Sequence, residues 1–275
     1  MKLGLIGTPV HQSISPELQN ILFDTFNLEG CTYEKKDISS KELSSFFDAF
    51  KAGAFDGINI TIPHKEHGLE FVDELDESVK ILGNTNCITR KGNSLKGYNT
   101  DLYGFEMMLH HNNISVESKH CLVLGAGGSS KTIVKALIDG HAASITIKNK
   151  SIENALKIQS YAQAISDVDI QIFDKSDIKF DLAINTTPLG MYQQDDKDDF
   201  FNIPVHQESI LIDLIYTSNH TLFLDKYENK VKQSINGLDM LIFQALKSIE
   251  IWTETTYNVG PKLDSIKKQL ENVLC

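Results

Sequence analysis

The stretch Cys121-Leu122-Val123-Leu124-Gly125-Ala126-Gly127-Gly128-Ser129-Ser130-Lys131 limits what this chain can fold into more than any other. An unbroken apolar run, as in a buried parallel strand, leads straight into glycines. Ile133, Val134, Leu137 and Ile138 then follow at helical spacing. This is strand, tight turn and helix. The glycines let the backbone turn sharply and let an anion approach bare main-chain N–H groups. The helix directs its positive end at the same point. A pyrophosphate fits that description. Against the dinucleotide pattern G-x-G-x-x-G, Gly125 and Gly127 match and Ser130 holds the third place, small enough for helix and strand to pack closely. An ordinary glycine-rich turn offers the same residues, but the strand before and the helix after favour the nucleotide reading.

Elsewhere, strand-like runs alternate with helical ones. Strands are expected at residues 2–6, 32–37, 55–62, 144–148, 170–173, 182–185 and 210–216, the last as the final strand. Helices are expected over 18–26, 41–50, 78–82, 105–109, 155–158, 238–249 and 261–274, with a hairpin at Lys91-Gly92-Asn93. Alternation of this kind gives parallel sheets with helices on their faces, an α/β fold. With 275 residues, of which 41% are apolar, there is material for two domains, and the break falls near residue 101. The polar, acidic run 193–199 reads as a loop without chemistry.

Bulk properties narrow the function. A net charge of −11 argues against a nucleic-acid partner, yet permits a local basic pocket for a small anion. No apolar stretch has the length of a membrane span, and glycine and proline interrupt the first apolar segment, so neither a membrane protein nor a signal peptide is expected. Cys31, Cys87, Cys121 and Cys275 form no C-x-x-C pair, which predicts no disulfide framework, no metal site and a reduced, cytoplasmic setting.

Three places offer chemistry. Ser13 and Ser15 stand at the end of the first strand; either they present two hydroxyls to a polyol, or Ser15, ahead of Pro16, caps a helix. Lys65 follows a strand end and a proline turn, where a lysine either faces a cleft or is a solvated surface charge. Asp101 precedes an apolar helical run and on position alone is equally a helix N-cap.

Seven segments in order resemble the shikimate dehydrogenase family over the whole chain. They are Ser13-Ile14-Ser15-Pro16, Asn59-Ile60-Thr61-Ile62-Pro63-His64-Lys65, Gly83-Asn84-Thr85-Asn86, Asn99-Thr100-Asp101, Gly125-Ala126-Gly127-Gly128, Asn185-Thr186-Thr187-Pro188-Leu189-Gly190-Met191, and Gly237 through Gln244. The resemblance implies a substrate domain of residues 1–101 completed by 238–275, an inserted Rossmann-like NADP-binding domain of residues 102–237, and a cleft between them. It implies NADPH-dependent reduction of 3-dehydroshikimate to shikimate on the route to chorismate and aromatic amino acids, by a monomer or homodimer.

By the same resemblance, Lys65 is the catalytic acid/base and Asp101 its partner, and Ser13, Ser15, Thr61, Asn86, Tyr216 and Gln244 join them as substrate contacts. Hydride delivery to a ketone leaves an alkoxide that needs a proton, which an ammonium beside a carboxylate can give. Gly125, Ala126, Gly127, Gly128 and Ser129 are expected at the cofactor's pyrophosphate. Asn149, Lys150, Ser151 and Asn154 are expected at its ribose phosphate, and Glu77, Thr186, Leu214 and Gly237 elsewhere along it. The chain departs from the family at Gln12 and Gln19, which stand for histidines, and at Lys150 and Asn154, which stand for basic residues, the first an arginine. No acid follows the second cofactor-domain strand until Glu153, which favours NADP over NAD. Two alternatives are an NAD-dependent quinate/shikimate dehydrogenase, whose acid at that strand end is missing, and a non-catalytic nucleotide-binding relative, expected to lack Lys65 or Asp101.

Overall fold

The computed structural model describes residues 1–174, 178–191, 199–216 and 221–274. They divide into two compact units, residues 1–104 with 242–275, and residues 105–241. Both divisions fall inside helices, Thr100–His111 and Leu238–Thr253, a few residues past the motif edges that mark 101 and 237 in the sequence. Of the sequence features above, most of the acidic run 193–199 and Cys275 lie outside the described residues.

The first unit is built on a sheet of β1 (Lys2–Gly7), β2 (Thr32–Asp37), β3 (Gly57–Ile60), β4 (Glu74–Leu75), β5 (Cys87–Lys91) and β6 (Ser94–Tyr98), in the order β2-β1-β3-β5-β6-β4. β1 runs parallel to both neighbours, but β5 is antiparallel to β3 and β6. The sheet is therefore mixed: the hairpin expected at Lys91-Gly92-Asn93 is present, and the pair β3–β5 is antiparallel where strand–helix alternation suggested parallel. The hairpin at Gly92, with φ of 62°, supplies the reversal. Ile6, Ile58, Ile60, Ile88 and Leu95 pack with Phe47 and Phe50 in one buried cluster.

Local corrections follow from this packing. β3 runs only from Gly57 to Ile60, inside the 55–62 expected, and Ile62 beyond it is 73% exposed. α1 (Ser15–Thr25) includes Ser15 as its first residue; Ile14 holds the cap position and gives no side-chain bond. The helix read over 41–50 is the shorter α2 (Leu43–Ala49), continued by a wide turn over Phe50–Ala54. α3 (Glu77–Leu82) is capped by Asp76, whose carboxylate accepts the Ser78 N–H, and is closed by left-handed Gly83. The unit also holds α9 (Leu263–Leu274), which buries Leu263, Ile266 and Leu270.

The second unit carries β7 (His120–Leu124), α5 (Gly128–Asp139), β8 (Ser144–Lys148), α6 (Ile152–Ile165), β9 (Asp169–Ile172), β10 (Phe180–Asn185), β11 (Val205–Asp213), α7 (Leu222–Asp225) and β12 (Gln233–Asn236). All pairs are parallel in the order β12-β11-β10-β7-β8-β9. Cys121 to Leu124 are fully buried, as their unbroken apolar run requires, and α5 buries Ile133, Val134 and Leu137 against the sheet. The chain proceeds outward from β7 to β8 and β9, then returns to the other side of β7 with β10. Strand order reverses there, and in open parallel sheets ligands bind outside the strand ends at such a point. β11 begins before residue 210 and stops at Asp213, so it is not the strand 210–216 of the sequence reading, nor the last, since β12 follows. On α6, Ala155 and Ile158 are buried but Leu156 is 45% exposed. Among the described residues no helix is long and apolar enough to cross a membrane.

Candidate active site

In the first unit the turn after β3 presents Lys65. His64 N–H bonds the Thr61 carbonyl at 2.9 Å, and the Lys65 carbonyl accepts the Thr85 N–H at 2.8 Å. The His64 ring is fully buried, with Nε2 at 2.5 Å from the Ile38 carbonyl. Held in this way, Lys65 Nζ reaches Asp101 Oδ2 at 2.6 Å, with the two side chains 26% and 15% exposed. An ion pair so sheltered is screened less than one on the open surface.

Asp101 is the second residue of α4 (Thr100–His111), not its cap. Asn99 caps instead: its Oδ1 accepts the N–H groups of Asp101 at 3.0 Å and Leu102 at 3.3 Å. The other Asp101 oxygen, Oδ1, accepts from Asn86 Nδ2 at 2.8 Å, and Asn86 Oδ1 takes the Thr100 N–H at 2.7 Å. Behind them, Asn59 Nδ2 donates to the Asn86 carbonyl at 3.0 Å and to Ser248 Oγ at 2.9 Å. Thr100 Oγ1 lies 3.4 Å from Gln244 Oε1 on α8 (Leu238–Thr253). Buried amides and hydroxyls bonded so completely fix one geometry for the carboxylate. Lys65, Asp101, Asn86 and Gln244 thus belong to one connected network.

Ser13 and Ser15 form a second cluster in this unit. Ser13 Oγ accepts the Ser15 N–H at 3.2 Å and stands 3.0 Å from Ser15 Oγ. Thr61 is half-buried just past β3. Glu77 belongs to this unit too, at the head of α3, with its exposed carboxylate 3.3 Å from Lys80 Nζ.

That turn is set by Gly125, whose φ of +116° disfavours any side chain; a Cβ there would lie 2.4 Å from Thr186 Oγ1. Thr186 donates to the Leu124 carbonyl at 2.8 Å and meets Ser130 Oγ at 2.6 Å, so the ends of β7 and β10 are joined through α5. Ser130 Oγ also accepts the Gly127 N–H at 3.1 Å. The serine in the third glycine position therefore ties the turn together as well as packing closely. Gly127 and Gly128 differ from Gly125. A Cβ on either meets nothing within 4 Å, so the fold does not demand glycine at these positions. Glycines with open space beside them at the start of a helix let an anion approach the helix N-terminus closely, which suits a pyrophosphate.

At the end of β8, Ser151 caps α6 by accepting the Asn154 N–H at 3.4 Å, and Asn149 Nδ2 donates to the Ser151 carbonyl at 2.9 Å. Lys150 is exposed at the tip of this turn. Lys148 is not the solvated charge that position alone suggests. Its Nζ bonds the Asn202 carbonyl at 2.9 Å and lies 4.7 Å from the Phe173 ring centroid. With Asn149 it lines a cavity of about 980 Å³. Leu214 and Gly237 come together, since a Cβ on Gly237 would stand 2.2 Å from the Leu214 carbonyl oxygen. Tyr216 is half-buried in the segment after β11.

Sequence reasoning missed Asp213. It is fully buried at the end of β11, accepts from Asn185 Nδ2 at 2.9 Å and the Ile215 N–H at 3.1 Å, and meets Thr221 Oγ1 at 2.5 Å. Burial pushes its carboxyl up to about 6, against the opposing pull of these bonds. Asn185 Oδ1 also holds the Thr187 N–H at 3.0 Å, so the pair Asn185–Asp213 secures two loops at the strand ends. An aspartate inside an apolar strand run was the available signal. Burial drives the thiols of Cys87 and Cys121 up to about 12, which removes them as nucleophiles. Among the described residues no group of His, Cys, Asp and Glu could hold a metal ion.

Known proteins resemble this chain along most of its length. Residues 5–88 match the family described as shikimate dehydrogenase substrate binding domain, and residues 108–188 that described as shikimate / quinate 5-dehydrogenase. The chain is 35% identical over 277 residues to the shikimate dehydrogenase (NADP(+)) of Alkaliphilus oremlandii, covering 97% of this chain and 95% of that one. It is 34% identical over 257 residues to the enzyme of the same name from Clostridium beijerinckii, covering 91% of each. The crystal structure of shikimate 5-dehydrogenase from Listeria monocytogenes, in complex with shikimate and NAD, matches with a TM-score of 0.87 at 26% identity, over 98% of this chain and 96% of that one. With both of its segments matched and such identity along nearly its full length, this chain belongs to the shikimate dehydrogenase family.

Proposed function

We propose that this protein is a shikimate dehydrogenase, catalysing the reversible NADPH-dependent reduction of 3-dehydroshikimate to shikimate on the route to chorismate and aromatic amino acids. The observation that carries the reading is the Lys65–Asp101 contact of 2.6 Å, sheltered within a bonded network of hydroxyls and amides. Reduction of a ketone turns its oxygen into an alkoxide, which must be protonated. Lys65 Nζ gives that proton and, as a cation, stabilises the developing charge. In the reverse direction the same nitrogen takes the hydroxyl proton. Asp101 holds Lys65 in place and offers an acceptor to a substrate hydroxyl, while Asn86 fixes the plane of the carboxylate. The hydroxyls of Ser13 and Ser15 suit the substrate carboxylate; Thr61, Gln244 and Tyr216 suit its hydroxyls.

NADPH, when bound, supplies the hydride. The open faces of Gly127 and Gly128 fit its pyrophosphate, with Ala126 and Ser129 completing the turn. Lys150, with Asn149, Ser151 and Asn154, would meet the ribose phosphate, and Thr186, Leu214 and Gly237 the remainder. Lys65 and Asp101 together argue against a nucleotide-binding relative without catalysis. The test is direct. Purified protein should oxidise NADPH on addition of 3-dehydroshikimate, and should reduce NADP with shikimate faster than with quinate. No turnover of shikimate alongside turnover of quinate would transfer the assignment to the other activity.

A further inference from the structure

We infer that Lys35 sets the preference of the Ser13–Ser15 loop for a carboxylate, as a positioning residue that places an uncompensated positive charge behind the two hydroxyls. This rests on the proposed function, in which that loop receives the acidic end of the substrate. On β2, Tyr33 is buried and Lys35, two residues on, lies half-buried on the same face. Its Nζ donates to the His11 carbonyl at 2.8 Å and to the Ser13 carbonyl at 3.1 Å. The ammonium therefore grips the serine loop by its backbone from the side of the sheet.

The lysines around it behave differently. Lys36 and Lys2 both lie near Glu34, at 3.6 and 3.8 Å. Lys65 has Asp101. Lys35 has no carboxylate within 4.0 Å among the described residues, and an ammonium has three donors where the loop carbonyls take two. Serine hydroxyls orient an anion but do not neutralise it. A cation that is partly withdrawn from water and lacks a counter-charge acts over several ångströms with little screening. Two simpler roles compete, a staple for the loop and an inward charge that protects an edge strand from pairing. Neither distinguishes an acidic ligand from its neutral ester.

The experiment compares shikimate with methyl shikimate in the wild-type protein, Lys35→Met and Lys35→Arg. Lys35→Met should raise KM for shikimate about tenfold, the size of a moderately screened charge interaction. It should leave kcat within about twofold, because uniform binding is lost rather than transition-state binding. Loss of the two loop bonds should cost acid and ester alike, so KM for the ester should rise far less than KM for the acid, and Lys35→Arg should restore affinity for the acid. Equal loss with acid and ester, or no loss with either, overturns the inference. Calorimetric binding of the same two compounds reads the charge preference without turnover. If neither compound is turned over, yet the wild-type protein binds the acid better than the ester and Lys35→Met loses that preference, the proposed activity is refuted and the role of Lys35 stands.

Discussion

Asn99 Oδ1 accepts the backbone N–H of Asp101 at 3.0 Å, so the cap of α4 is provided by the asparagine and the Asp101 carboxylate remains for Lys65. Asn99 Nδ2 is itself fixed by Asn84 Oδ1 at 2.6 Å. Asn99→Ala should therefore cost about 1 kcal/mol of stability, the usual value of a lost cap. It should also lower kcat, as Asp101 becomes the nearest acceptor for its own helix N–H groups. Denaturant midpoints and steady-state rates on the same samples check both; a stable, fully active variant would separate the cap from the site.

Gly125 and Gly127 should respond in opposite ways to alanine. Gly127 has φ of −99° and open space around it, so Gly127→Ala should keep or raise stability, by about 0.5 kcal/mol, through the unfolded chain. Its new methyl group would stand where the pyrophosphate is expected, and NADPH affinity should fall. Gly125→Ala meets both positive φ and Thr186, and should lose roughly 1–3 kcal/mol of stability. Thermal melts with and without NADPH distinguish the two.

Asp213 makes a prediction about pH. Its carboxyl is raised from 3.8 to about 6, so the folded state keeps a proton that the unfolded chain has already released. This contribution is fully present below the unfolded value and is lost as pH rises through about 6. Between those limits the change is on the order of 3 kcal/mol. Asp213→Asn cannot ionise, so wild-type stability measured relative to this variant should grow as pH falls from 7 toward 4. A constant difference across that range would contradict the raised value.

Lys150 is expected to read the ribose phosphate of the cofactor. A lysine offers a point charge on a flexible stem, without the fork or stacking face of arginine. Lys150→Ala should raise KM for NADP and leave that for NAD nearly unchanged, and Lys150→Arg should sharpen the preference. Parallel kinetics with the two cofactors decide the matter; equal use of both by the wild-type protein would remove this turn from cofactor choice.

The parts of this fold that sequence made legible are those where one residue type has one physical use. The buried run ending at Leu124, the turn at Gly125 and the stripe on α5 are of this kind. Strand direction was legible only at the hairpin of β5 and β6; that β5 also runs antiparallel to β3 depends on a crossover whose path the residues do not announce. β12, Gln-Ser-Ile-Asn, is too short and polar to stand out, and β4 has only two residues. Of the candidate site, Lys65, Asp101, Asn86 and Gln244 were all visible as motif residues, but the bonds through Asn59, Asn99 and Ser248 that fix them were not. Whether Asn99 or Asp101 caps α4 depends on geometry at single-residue precision, and Lys35 meets the serine loop from a strand twenty-two residues away.

Lys65, held by Asp101, is proposed to transfer the proton in the ketone reduction. Replacing Lys65 with methionine keeps most of the stem and removes the charge and the proton. Single-turnover reduction of 3-dehydroshikimate should then slow by about a hundredfold or more, the range of general acid catalysis, while NADPH binds as in the wild type. A Lys65→Met protein that reduces its substrate at close to the wild-type rate would contradict that role.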